Sequence, residues 1–173
     1  MKAIVLYQSK YGAMERYAKM LATKLNCQAV SRKSFRGDLA VYDTVVYGGG
    51  IYASGIAGLS AFRKLIPTLA GKRLLVFAVG ASPYQESAVE AIRKKNMQGE
   101  LAEVPLFYLR GAFDESRMTL PDKLLIGMLK KVVGKKAEAE REAWERELLA
   151  AIGRPGDWIS EEQLAPLLLA LSR

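Results

Sequence analysis

Three consecutive stretches decide the fold: Ala3-Ile4-Val5-Leu6-Tyr7, then Gln8-Ser9-Lys10-Tyr11-Gly12-Ala13, then Met14-Glu15-Arg16-Tyr17-Ala18-Lys19-Met20-Leu21-Ala22-Thr23-Lys24-Leu25. The first is short and continuously apolar, as expected of a parallel strand buried on both faces. In the third, Met14, Tyr17, Ala18, Leu21, Ala22 and Leu25 recur at helical spacing and share one face. A strand, a tight polar loop and a helix in that order build a phosphate site. The loop N–H groups and the first helical turn have no intrahelical partners, so an anion there satisfies them and meets the positive end of the helix dipole. Taken alone, the same loop is equally compatible with an ordinary βα turn.

The chain beyond residue 25 keeps alternating. Gln28 to Ser31 reads as a short second strand, and Thr44-Val45-Val46-Tyr47-Gly48 as a third. The third runs into Gly48-Gly49-Gly50-Ile51-Tyr52-Ala53-Ser54-Gly55, a loop whose glycines suit close backbone approach to a ligand. A helix is expected over residues 57–69, with Leu59, Phe62, Leu65 and Ile66 inward. Arg73 to Gly80 is the most apolar strand and is expected near the sheet centre. It is followed by the loop Ala81-Ser82-Pro83-Tyr84 and a helix over residues 86–95. Val104 to Gly111 is the fifth strand, with Pro105 near its start. Strands with interleaved helices predict an α/β fold: an open, doubly wound, five-stranded parallel sheet in a single domain over residues 1–173, with an extra helical segment after strand five.

In that segment, Pro121 to Val133 reads as a helix with Leu124, Leu125, Met128, Leu129, Val132 and Val133 on a broad apolar side. Lys123, Lys130, Lys131, Lys135 and Lys136 accompany it. Two readings stand open: a core-packed helix with a solvated lysine face, or peripheral contact with an anionic membrane through those lysines. Ala137 to Ile152 reads as a charged helix ended by Gly153, Pro155 and Gly156. Ser160 is placed to cap a last helix carrying Leu164, Leu167, Leu168 and Leu171.

Composition narrows the chemistry. The 173 residues contain no His and one Cys, Cys27, so Ser-His-Asp and Cys-His catalysis, His-ligated metals and intrachain disulfides are unavailable. Cys27 itself reads as a buried, inert thiol. Any redox chemistry must be carried by an organic cofactor, with the protein supplying binding, orientation and electrostatics. No apolar run reaches membrane-spanning length, and Met1-Lys2 lead directly into the first strand without a secretory signal, so a soluble cytoplasmic protein is expected. The 26 basic against 18 acidic side chains give a formal charge of +8 and a pI near 9.6. Acidic partners follow from that balance. Nucleic acid is not expected among them, because no RNP-like aromatic motif, zinc finger or convincing helix-turn-helix is present.

The strand-loop-helix of residues 3–25, the glycine-rich segment after strand three and the loop from Gly80 to Tyr84 together resemble the flavodoxins. The resemblance implies the strand order 2-1-3-4-5 and FMN at the sheet's switch point. The family's phosphate loop has the pattern (S/T)-x-T-G-x-T, and this chain reads Ser9-Lys10-Tyr11-Gly12-Ala13-Met14. Ser9 and Gly12 match, whereas Tyr11 and Met14 depart. A lost hydroxyl donor to a charged phosphate costs about 1.5 to 3 kcal/mol, which weakens binding and leaves the backbone donors in place. Lys10 reads either as a compensating charge or as a solvated side chain, and Met14 as the first residue of the helix's apolar face. The resemblance also implies Tyr52 and Tyr84 as covers for the flavin ring, and backbone groups of Gly50, Ile51, Gly80, Ala81 and Ser82 as partners for its polar edge.

A closer resemblance is to the branch that includes the bacterial menaquinone-dependent protoporphyrinogen oxidase. It rests on overall length, on the Gly-x-x-Ile that begins the loop after strand three, and on the segment from Gly111 to Lys131, an aromatic and acidic stretch followed by a lysine-rich apolar helix. It implies an FMN-dependent oxidoreductase with a porphyrinogen as electron donor and a quinone as acceptor. Arg110 and Arg117 are then candidates for holding substrate carboxylates. Carrier flavodoxins are usually acidic, so the basic charge sets this chain apart from them. The alternatives are a non-enzymatic electron carrier and a flavin-free interaction module.

Overall fold

The apolar runs pair side by side as the alternation requires. The computed structural model describes residues 2–150 and 154–172. Strand β1 (Ala3–Gln8) lies between β2 (Gln28–Ser31) and β3 (Thr44–Tyr52), both parallel to it. The short β4 (Gly55–Ile56) turns back antiparallel on β3, and β5 (Arg73–Gly80) and β6 (Leu106–Arg110) extend the parallel path. The path runs β2-β1-β3-β5-β6. With the hairpin strand β4 set aside, this is the expected order 2-1-3-4-5, and its direction reverses between β1 and β3.

Among the described residues there are six α-helices: α1 (Ala13–Lys24), α2 (Leu59–Arg63), α3 (Glu86–Asn96), α4 (Leu120–Gly134), α5 (Ala143–Ala150) and α6 (Ala165–Ser172). Of these, α1, α2 and α6 close over the two faces of the sheet. Ile4, Leu6, Val45, Tyr47 and Val76 point to one face, where Leu59, Phe62 and Ile66 close over them. Val5, Val46, Leu75 and Phe77 point to the other, under Tyr17, Ala18 and Leu21 of α1 and Leu167 and Leu171 of α6. Strand residues alternate between faces with period two, and both sets are apolar because neither face meets water. Ser160 accepts the Glu162 N–H at 3.2 Å as the expected cap. Arg73 donates to the last carbonyls of α6, at Ala170 and Leu171, which suits a cation at a helix C-terminus.

Several boundaries differ from expectation. The expected helix over 57–69 is α2 followed by a 3₁₀ turn at Ile66–Leu69, since Pro67 cannot donate to a continued α-helical ladder. The fifth parallel strand covers Leu106–Arg110 rather than Val104 to Gly111. The charged helix expected from Ala137 begins as a 3₁₀ turn at Glu138–Glu140 and becomes α-helical only in α5. Its expected end at Ile152 and Gly153 lies outside the described residues. A two-stranded sheet of β7 (Ala112–Phe113) and β8 (Gly156–Asp157) was not anticipated. These two-residue strands carry no usable alternation.

The glycine-rich loop is also not a loop. β3 continues through Tyr52 and forms a hairpin, with Tyr52 opposite Gly55. Its two central residues have positive φ, 48° at Ala53 and 63° at Ser54, the geometry of a type I′ turn occupied by residues that disfavour it. Asn96 holds the turn in place: its side-chain amide donates to the Ser54 carbonyl at 2.8 Å and its side-chain oxygen accepts the Ile56 N–H at 3.0 Å. Replacing the pair by Ala53→Asn with Ser54→Gly is expected to stabilise the chain by about 1 to 2 kcal/mol. Asn96 binds backbone groups, so its contacts survive the change. A thermal melt checks this, with the midpoint expected to rise by about 4 °C.

Candidate functional site

At the β1/β3 reversal, four residues separate the end of β1 at Gln8 from the start of α1 at Ala13. The Ser9 hydroxyl accepts the Gly12 N–H at 3.1 Å and closes the turn. Gly12 adopts φ 95° and ψ −24°, the left-handed region. A Cβ added there would meet nothing within 4 Å, so open space lies over the loop at that point. No side chain caps α1, and its first helical bond runs from the Arg16 N–H to the Gly12 carbonyl at 3.0 Å. The N–H groups of Ala13 and Met14 are left directed at the loop, a donor set suited to an anion. Glu15, the acid in this turn, is held by Lys19 at 2.6 Å. That contact keeps its carboxyl below the usual range.

The two departures from the family loop have separate explanations. Met14 is buried among Tyr17, Val46 and Phe77, so it offers the site its backbone only. Tyr11 turns outward and donates its hydroxyl hydrogen to the Asp122 carboxylate, while the Thr119 N–H donates to the Tyr11 oxygen at 3.2 Å. Lys10 pairs with the same carboxylate. Lys10 is an exposed, solvated side chain, and its charge is taken up by the first turn of α4 and not left free for a phosphate. Its ammonium also lies 5.4 Å from the Tyr11 ring centre and 5.8 Å from that of Tyr52.

Lys10, then Tyr11, hold the Asp122 carboxyl below its usual value, and Asp122 raises that of Lys10. A depressed carboxyl favours the folded contact above its unfolded pKa and loses it as pH falls through the folded one. The strap therefore persists across neutral pH and releases only in acid. Both partners are solvent-accessible, so the pair positions α4 more than it stabilises the fold.

The remaining loops converge on the same end of the sheet. Gly48 and Gly49 lie within β3, and the protein's own side chains fill the space beside them: Phe77 and Met14 at Gly48, Ile56 at Gly49. Tyr52 folds over Gly50 and meets Tyr11 edge-on with ring centres 6.1 Å apart. Ile51 pairs with Ile56 in the hairpin.

After β5, Tyr108 lies over Gly80 and donates to the Ser82 carbonyl at 2.6 Å. Burial pushes the Tyr108 phenol up to about 12, so it stays a donor. Arg110 donates to the Ala81 carbonyl at 3.1 Å and stacks on Trp158 at 3.8 Å. These contacts make it a positioning residue for the loop. With both carbonyls engaged, the loop is fixed while the N–H groups of Ala81 and Ser82 find no protein acceptor among the described residues. Tyr84 stands 66% exposed, touching Tyr108 edge-on.

A cleft of about 510 Å³ opens beside Tyr11, Gly12 and Ala13. Arg16, Lys19 and Arg117 lie on its walls. Arg16 is paired with Asp157 and Lys19 with Glu15, whereas Arg117 forms no ion pair among the described residues.

A family model described as Flavodoxin domain matches residues 4–140. The chain belongs to the flavodoxin domain family. Among solved structures, this flavodoxin-family chain is similar to a flavodoxin from the domain Archaea, with 17% identity and a TM-score of 0.43, covering 64% of this chain and 85% of the other. It is also similar to the Trp repressor binding protein of Bacillus subtilis, with 13% identity and a TM-score of 0.48, over 64% and 85%. A flavoprotein in complex with FMN from Lactobacillus acidophilus NCFM shows 13% identity and a TM-score of 0.42, over 63% and 91%. No curated protein matches the chain. These comparisons reach the flavodoxin family and do not single out the protoporphyrinogen oxidase branch.

FMN is the cofactor that flavodoxins hold at this switch point. The residues present fit it: open space at Gly12 and uncapped N–H groups at Ala13 and Met14 for the phosphate, and a free edge of N–H donors at Ala81 and Ser82 for the ring. Sequence reasoning missed Thr119, Asp122, Tyr108 and Asn96, which shape these loops. Thr119-x-x-Asp122 does carry the pattern of a helix start, yet its partner loop lies more than a hundred residues away in the chain.

Proposed function

We propose that this flavodoxin-family protein is an FMN-dependent oxidoreductase that accepts electrons from a small anionic organic substrate, of the porphyrinogen kind, and passes them to a quinone. FMN supplies the electron uptake and release. The observation that carries this reading is the pair of uncapped N–H groups at Ala13 and Met14 beside a cleft that bears Arg117. The Ser9 turn and the N–H groups of Ala13 and Met14 hold the phosphate. Tyr52 and Tyr84 confine the ring, and Ala81 and Ser82 bind its polar edge. Arg117 meets a substrate carboxylate. The charge of +8 favours an anionic substrate over the basic protein partners that suit acidic carriers.

Titration with FMN, followed by flavin fluorescence and the visible spectrum, tests the cofactor. Saturable binding is expected. A flat titration to high micromolar FMN overturns the oxidoreductase reading in favour of a flavin-free module. Oxidation of protoporphyrinogen with menaquinone as acceptor then tests the substrate. Tyr84→Ala is expected to weaken FMN binding about threefold to tenfold, the worth of one aromatic contact. Tyr84 is mostly exposed, so the melting temperature should stay unchanged.

A further inference from the structure

The apolar side of α4 faces water. Leu120, Leu124, Leu125, Met128, Leu129 and Val132 recur at three- and four-residue spacing, and their exposures run from 37% to 82%. The opposite side meets the body of the protein. Val133 is buried there, Asp122 holds Lys10 and Tyr11, and Lys130 is paired with Glu115 at 2.5 Å. The core-packed reading of this helix is therefore overturned. So is part of the lysine set: Lys130 is engaged by Glu115 and Lys136 by Glu145. Lys123, Lys131 and Lys135 form no ion pair among the described residues.

We infer that α4 is a docking helix that lays its apolar side on an anionic lipid bilayer. Six large apolar side chains on one helical face form a contiguous patch of the kind that marks an interaction surface. Charge selects the occupant. Asp122 is the only acid within α4, and it is turned away to the cofactor loop. The exposed side carries Lys131 among its apolar residues, and Lys135 follows directly at its end. Pairing with a second copy through this face would set these lysines against their own kind with no acid to answer them. An anionic headgroup layer answers them directly, while the leucines enter the acyl boundary.

The helix lies on the surface and does not cross it, since no helix among the described residues is long and apolar enough to span a membrane. Asp122 and Thr119 strap the same helix to the cofactor loop, so docking would hold that loop at the lipid surface. This goes beyond the proposed oxidoreductase activity and does not depend on it.

The test is cosedimentation of the full chain with phosphatidylglycerol–phosphatidylcholine vesicles and with phosphatidylcholine vesicles alone. Binding to the anionic vesicles, released by high salt, is expected. Lys131→Gln with Lys135→Gln should weaken it about 25-fold, roughly fivefold for each lysine. Leu124→Glu with Leu125→Glu should abolish it while circular dichroism stays unchanged. Equal binding to neutral vesicles, no binding to anionic ones, or full binding by the leucine variant overturns the proposal. A dimer in light scattering that the same leucine variant dissolves, without vesicle binding, overturns it in favour of a second copy. FMN titration of the same samples separates the readings: vesicle binding without FMN binding would sink the proposed activity alone, and the reverse this inference alone.

Discussion

Gly12→Asp is expected to abolish FMN binding while leaving the chain folded. Gly12 sits at φ 95° with no atom within 4 Å of an added Cβ, so the substitution meets no clash. Backbone strain costs about 1 kcal/mol, because side-chain-bearing residues disfavour the left-handed region. The larger effect is electrostatic. A carboxylate rising from Gly12 enters the space where the phosphate meets the N–H groups of Ala13 and Met14, replacing attraction with repulsion between anions. The electrostatic term predicts a loss of more than about 100-fold in affinity. Gly12→Ala carries the strain alone, which burdens the free and the bound chain alike, and should lower stability by about 1 kcal/mol with affinity nearly unchanged. Fluorescence titration with a parallel thermal melt measures both. An Asp variant that still binds within about tenfold of wild type would place the phosphate elsewhere.

Gly48→Val is expected to damage fold and site together. A Cβ at Gly48 would lie 2.5 Å from the Phe77 ring and 2.6 Å from the Met14 sulfur. Both neighbours are buried in the core, at 0% and 2% exposure. Overpacking of this kind costs about 3 kcal/mol, a fall of about 6 to 12 °C in melting temperature for a chain of this size. Met14 is the second residue of α1, so displacing it tilts the helical turn whose N–H groups form the cradle. FMN affinity should therefore fall even at temperatures where the variant is folded. A destabilised variant with unaltered affinity would show that Met14 does not position the cradle.

The identity of Gly48 illustrates how a correct residue can be assigned the wrong reason. Three successive glycines suggest a loop that admits a ligand, because glycine is common wherever backbone must come close to something. Here the close neighbours of Gly48 and Gly49 are the protein's own core, and the strand continues through them. Periodicity could not reveal this, since a glycine contributes no side chain to a pattern. Tyr11 and Met14 are the opposite case. As departures from a family loop they read as losses, yet Met14 completes the core beneath α1 and Tyr11 joins Asp122. The burial of Met14 was legible from helical spacing within α1. The partner of Tyr11 was not legible, because nothing local links residue 11 to residue 122.

What the sequence determined by itself is the layered fold and the kind of cofactor. The continuous apolar runs, the alternation with amphipathic helices and the Ser9 to Met14 loop are short-range signals, each written within a few turns or strand lengths. The absence of His and of paired Cys confined the chemistry to an organic cofactor. What only the tertiary structure decided is which side chains of distant segments answer one another. Asp122 reaches Lys10 and Tyr11, Asn96 holds the Ala53-Ser54 turn, Tyr108 and Arg110 fix the loop after β5, and α4 turns its leucines outward. An amphipathic pattern states that a helix has two sides. Which side meets the protein depends on the neighbours that the completed fold brings to it: here Lys10, Tyr11 and Glu115 meet the charged side of α4, and α1 and α6 already cover the nearby face of the sheet.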